Sequence, residues 1–137
     1  MRVQDDETQL SKQMMKQIVG NIGLFYVCYE LSKRGWNCLP TSRNAKGIDI
    51  VIYNYNAKCM RTIQVKSLSK KDNVRLDSFM ADFLVICANA RVNPEIYILT
   101  ENEFKSQQPY ELKKGYFLPY SKYKNFQDNY DKISDDE

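Results

Sequence analysis

The chain has 137 residues, 43% of them hydrophobic, and a formal net charge of +3, which suits one compact domain with its own core. No apolar stretch approaches the roughly 18 residues of a membrane span, and the start lacks the charged-then-apolar order of a signal peptide, so a soluble, cytoplasmic protein without a membrane partner is expected. Histidine is absent and the four cysteines (Cys28, Cys38, Cys59, Cys87) form no CxxC pair, which argues against a zinc site, excludes Ser-His and Cys-His catalysis, and reads as reduced core thiols.

In chain order, Asp5-Asp6-Glu7 followed by Gln9 suggests the cap of an early helical turn. Met14, Ile18, Ile22, Phe25 and Tyr29 then recur at helical spacing and predict a helix over 14–34, with Lys33-Arg34-Gly35 as its basic last turn and stop. Gly20 and Gly23 each cost such a helix about 1 kcal/mol relative to alanine. Either the helix approaches a sheet closely there, beside Asp49, or it begins near Asn21. Trp36–Pro40 reads as a first short strand, and the β-branched and aromatic run Asp49–Tyr53 as a second. A hairpin through Asn54–Lys58 joins it to a third strand ending in Ile63-Gln64-Val65-Lys66.

Residues 74–81 read as a short helix or turn that serves as a crossover, and Asp82–Ala88 as a strand buried on both faces. Glu95–Thr100 is a further strand, after which Thr100 as N-cap and Glu103 at N3 open a helix. Tyr116–Leu118 is expected at a sheet edge, and 121–133 as a final helix whose tyrosines pack a core rather than stack on bases, the alternative role for Tyr120, Tyr123 and Tyr130. Residues 1–133 form the expected domain, and the acidic 134–137 a disordered tail.

The chemistry gathers around Asp49, Gln64 and Lys66. Side chains alternate along a strand, so Gln64 and Lys66 share a face, and the hairpin brings Asp49 alongside. A carboxylate and a neutral oxygen can hold Mg²⁺, which lowers the pKa of a water and neutralises charge on a phosphate. A lysine can orient the nucleophile or stabilise the transition state. The plainer alternative is a turn-capping aspartate and a solvated lysine.

With Gly20-Asn21-Ile22-Gly23, the phrase Glu30-Leu31-Ser32-Lys33-Arg34-Gly35-Trp36, and Gly47-Ile48-Asp49 followed by Gln64-Val65-Lys66, residues 14–100 resemble the PD-(D/E)XK nuclease superfamily, closest to its restriction-endonuclease-like and Holliday-junction-resolvase-like members. The resemblance implies an α/β fold with a restriction-endonuclease-like core, a central mixed sheet flanked by helices in α-β-β-β-α-β order. It implies a metal-dependent endonuclease acting on DNA, with Asp49 and Gln64 as metal ligands for Mg²⁺ or Mn²⁺ and Asp49, Gln64 and Lys66 as the catalytic set. Because each such site cuts one strand, a homodimer is allowed.

The chain departs from the pattern at three places. Ile48 replaces the proline before the aspartate, Gln64 stands where an acid is usual, and Leu24 falls where many relatives carry a helix glutamate. On the helix, Asn21 lies about 60° from Leu24 and is the better candidate for a substitute neutral ligand or water holder, the alternative being an ordinary polar position beside a glycine, whereas Glu30 faces elsewhere. Losing two acids weakens metal affinity, so the alternative function is a catalytically impaired relative that binds nucleic acid or a nuclease partner. Residues 42–75 carry eight basic residues against two acids, a local excess of +6, while the rest of the chain sums to −3. Arg43, Lys46, Lys70, Lys71 and Arg75 are therefore the candidate phosphate contacts.

Overall fold

The computed structural model describes residues 2–41 and 47–135. Helix α1 (Arg2–Lys33) runs unbroken for 32 residues, about 48 Å at the usual rise. It starts well before Met14, and the early capped turn is absorbed into it. Its end follows the expected signal. Gly35 adopts φ +94°, the Trp36 N–H donates to the Leu31 carbonyl (3.1 Å) and the Gly35 N–H to that of Ser32 (3.0 Å), the paired bonds of a Schellman cap.

The face that α1 buries is not the one that the large apolar residues mark. Val19, Gly23, Val27 and Leu31, four residues apart, turn inward, whereas Met14, Ile18, Phe25 and Tyr29 stay exposed, Phe25 by 62%. The reason is Gly23. A Cβ there would lie 1.5 Å from Ser67 Oγ, 2.7 Å from Ser67 Cβ and 3.4 Å from Cys87 Cβ. Helix backbone therefore lies directly on the sheet, a closeness that only glycine allows. This settles the alternatives for Gly23 in favour of close approach, with Ser67 and Cys87 beneath it. Gly20 has nothing within 4 Å of its own Cβ position.

Strands β1 (Asn37–Pro40), β2 (Ile50–Tyr53) and β3 (Met60–Ser67) form an antiparallel meander, with Cys38 opposite Ile52 and Ile50 opposite Ile63. The β2–β3 turn is closed by Asn54, whose Oδ1 accepts from the backbone N–H groups of Lys58 (3.0 Å) and Cys59 (3.1 Å). Strand β4 (Val74–Leu76) leaves this sheet, and β5 (Phe83–Ala88) returns to lie parallel to β3, with Gln64 opposite Leu84. Antiparallel β6 (Glu95–Thr100) completes a mixed sheet of order β1-β2-β3-β5-β6. The molecule is thus α/β.

The link between β3 and β5 corrects the expected α-β-β-β-α-β order, since it holds a strand and coil rather than a helix. In β4, buried Val74 and Leu76 alternate with exposed Arg75, a two-residue period. Its partner is β8 (Tyr116–Leu118), which sits between β4 and β7 (Tyr110–Glu111) in a second, three-stranded sheet. Tyr116–Leu118 is therefore central, not an edge.

Thr100 caps α2 (Glu101–Ser106) as read from sequence. Its hydroxyl accepts from the Glu103 N–H (3.2 Å) while Glu103 Oε1 accepts from the Thr100 N–H (2.9 Å). The expected final helix is instead the single turn α3 (Tyr120–Tyr123) followed by 3₁₀ turns at Lys124–Phe126 and Tyr130–Lys132. Between those turns Gln127 bridges Tyr97 of β6, and the Asp128 N–H donates to the Ile96 carbonyl (2.8 Å). Pairing with β6 demands an extended chain, which breaks the helix.

Two apolar layers enclose the five-stranded sheet. On the α1 side Val27, Leu31, Trp36, Ile50, Ile63, Val85 and Ile98 pack together. On the other side Leu84, Ile86, Tyr97 and Leu99 meet Val74, Leu76 and Leu118 of the second sheet, with Phe104 and Tyr123. All six residues of β5 are buried, as its continuous apolar run predicts. Tyr123 is wholly buried, its ring 4.9 Å from that of Tyr97 and its hydroxyl donating to the Asp72 carbonyl (2.6 Å). Of the roles weighed for the tyrosines, core packing holds for Tyr123. Among the described residues no helix is long and apolar enough to cross a membrane.

Candidate functional site

Asp49 sits just ahead of β2, where the ladder is irregular. Its carbonyl accepts from the Thr41 N–H on one side (2.9 Å), while its own N–H donates to Ile63 on the other (2.8 Å). Ile63 is already the ladder partner of Ile50. Two residues of one strand thus oppose one of the next, which is a β-bulge, a device that redirects a side chain and ends regular pairing. The redirected carboxylate caps β3: the Val65 N–H donates to Asp49 Oδ2 at 2.7 Å.

Val65 lies between the other two residues of interest. Its own side chain joins the apolar layer under α1, as does that of Ile63. Alternation therefore sends Gln64 and Lys66 to the opposite face, beside their ladder partners Leu84 and Ile86. Gln64 is only 7% exposed, and its Oε1 finds no hydrogen-bond partner among the described residues. A buried amide oxygen left unpaired costs about 1–3 kcal/mol, so its retention wants an explanation. Lys66 is half-buried and forms no ion pair among the described residues.

Two features around the site carry no local sequence signal. The Thr41 N–H and hydroxyl bracket Ile48 and Asp49, the hydroxyl donating to the Ile48 carbonyl. Gly47, at φ +73°, lies against Met80, whose side chain a Cβ would meet at 2.8 Å. The β4–β5 connection therefore packs against the turn that leads into Asp49, a meeting of residues more than thirty positions apart.

The remaining candidates scatter. Asn21 is exposed on α1, the element that covers the face opposite Gln64 and Lys66, so it does not join them. Leu24 on the same helix packs into that apolar layer. Glu30 is engaged by Arg34 (2.7 Å), which with Lys33 holds its carboxyl below the usual range against the opposing effect of burial. Arg43 and Lys46 lie outside the described residues. Lys70 is exposed in the loop after β3. Lys71 is paired with Glu95 (3.2 Å). Arg75 points away from the core that Val74 and Leu76 enter, on the outer side of the second sheet.

Among the described residues no group of three or more His, Cys, Asp or Glu side chains gathers. Two oxygens remain as donors, the Asp49 carboxylate and Gln64 Oε1. They do not make a closed cage. Both are hard oxygen donors of the kind that Mg²⁺ takes together with water and phosphate oxygens.

Compared with known proteins, the chain matches no family model, no curated protein and no solved structure.

Proposed function

We propose that this chain is a restriction-endonuclease-like, metal-dependent endonuclease that hydrolyses DNA phosphodiester bonds. The observation that carries the reading is the bulge at Asp49, which turns its carboxylate onto Val65, between Gln64 and Lys66, with the Gln64 oxygen left unpaired. Asp49 and Gln64 would hold Mg²⁺, or Mn²⁺ with the same oxygen chemistry. Bound there, the ion supplies charge neutralisation and an acidified water.

The chain's own residues do the rest. The Val65 N–H fixes one carboxylate oxygen, so Asp49 presents the other in a single orientation. Lys66 places a positive charge where the reacting phosphate accumulates negative charge, an electrostatic contribution of the kind worth several kcal/mol in a dry site. Lys70 extends the positive surface beyond the strand.

Incubating the protein with supercoiled plasmid and Mg²⁺ or Mn²⁺ tests this. The reading requires nicking or linearisation that is lost in Asp49→Ala and in Lys66→Ala. Cleavage surviving both substitutions would overturn it. One observation favours a second reading, a relative that binds DNA without cutting: the site has a single carboxylate and half of it is committed to Val65. Retention of DNA on the protein without cleavage, weakening steeply as salt rises, would select that reading.

A further inference from the structure

The four cysteines do not share one environment. Cys59 and Cys87 are buried, but Cys28 of α1 and Cys38 of β1 are only half-buried and meet where the helix crosses the first strand. The Cys38 sulfur lies 3.6 Å from the Cys28 carbonyl and 3.8 Å from that of Trp36, and the Ser32 hydroxyl donates to it at 3.7 Å. The Schellman cap at Gly35 creates this meeting by reversing the chain within a few residues of the helix end.

We propose that Cys28 and Cys38 are a reactive dithiol that closes to an intramolecular disulfide by exchange with a low-molecular-weight disulfide, with Cys38 as the attacking sulfur. Its thiolate displaces one thiolate from the small disulfide, giving a mixed disulfide on Cys38. Cys28, giving its proton to solvent, attacks the Cys38 sulfur and expels the second small thiolate. The protein loses two hydrogens and two electrons, and the small disulfide is reduced to two thiols.

The order of attack follows from the surroundings. From α1, Cys38 faces the Cys28 carbonyl, to which its S–H can donate, together with the Cys28 thiol and the Ser32 hydroxyl; from β2 its ladder partner is uncharged Ile52. The Cys28 hydrogen bond, opposed by burial and aided by Ser32, brings the Cys38 thiol down to about 7, while the same hydrogen bond and burial push Cys28 up. A thiol with a pKa near ambient pH is the most effective attacker. Cys87, by contrast, is pushed up to about 11 by burial.

The test treats the folded full-length chain with oxidised glutathione, blocks residual thiols by alkylation, and maps peptides by mass spectrometry. The expected product is one internal cross-link joining the Cys28 and Cys38 peptides, with Cys59 and Cys87 alkylated. Cys28→Ser, whose hydroxyl keeps a donor beside Cys38, should accumulate a glutathione adduct on Cys38, formed at least tenfold faster than any adduct on Cys28 in Cys38→Ser. Serine is nearly isosteric, and circular dichroism confirms that both variants fold. Adducts forming equally fast on both cysteines, preferential loss of Cys59 or Cys87, or only intermolecular disulfides would each overturn the assignment.

Discussion

Two alanine substitutions three residues apart in α1 should move stability in opposite directions. At Gly20 nothing lies within 4 Å of the added methyl. Alanine there gains only helix propensity, about 1 kcal/mol. At Gly23 the same gain meets a collision. Ser67 Oγ, at 1.5 Å, can rotate away, but Ser67 Cβ, at 2.7 Å, cannot, and it lies roughly 0.7 Å inside the ordinary contact that Cys87 Cβ makes at 3.4 Å. Either α1 lifts from β3 or the backbone of β3 shifts, at an overpacking cost of about 1–3 kcal/mol. Gly23→Ala is expected to lose up to about 2 kcal/mol net, and combination with Ser67→Gly to recover much of that loss. Urea unfolding followed by circular dichroism measures both free energies, and in thermal unfolding the two variants should differ by a few degrees or more in midpoint temperature. If Gly23→Ala proves as stabilising as Gly20→Ala, the helix does not seat on Ser67.

Three further substitutions probe the site and its frame. Asp49→Ala removes the acceptor of the Val65 N–H and should cost about 1–3 kcal/mol as well as any cleavage, whereas Lys66→Ala should leave stability within about 0.5 kcal/mol; equal unfolding midpoints for the two would contradict the bulge geometry. Gln64→Leu should be neutral or stabilising without metal, because it deletes an unpaired buried oxygen, while Gln64→Glu should tighten Mn²⁺ binding in calorimetry; a loss of stability in the first would mean that Gln64 has a structural partner. Burial disfavours the charged form of Glu103, but the Lys132 ammonium at 2.8 Å and the Thr100 N–H outweigh it and hold that carboxyl below its ordinary value. Its contribution is therefore complete above about pH 4.3 and fades as pH falls through the lower folded value. Lys132→Met should flatten that acid limb in unfolding curves taken from pH 6 to 2, and an unchanged limb would remove Glu103 from the account.

What could be read from the chain depended on whether the deciding contact was local. The Thr100 capping box, the Gly35 stop and the β2–β3 hairpin rest on residues a few positions apart, and all three formed where expected. So did β5, because burial on both faces writes itself into a continuous apolar run. The buried face of α1 is not legible from its largest apolar side chains, because a glycine sets it, through what it lacks. Strand β4 and the central place of β8 hang on the pairing of Val74 with Leu118, and no local window shows a partner that far away. Around Asp49 the spacing to Gln64 and Lys66 was visible. The bulge that aims the carboxylate was not, nor were Thr41 and Met80, since each depends on how neighbouring strands are held.

The extended C-terminal segment that stands in place of the expected helix also covers one edge of the five-stranded sheet. Strand β6 is the last strand of the five-stranded sheet, and Glu95-Ile96-Tyr97-Ile98-Leu99-Thr100 is the kind of apolar, β-prone stretch that recruits another chain when its edge is bare. Here that edge is guarded. The Asp128 N–H occupies the Ile96 carbonyl, Gln127 bridges Tyr97, and the Lys132 ammonium occupies the Ile98 carbonyl at 2.6 Å. A chain shortened at about residue 124 would keep every strand of both sheets yet expose this row of acceptors, and it should aggregate more readily as well as lose the packing of Tyr130 and Ile133.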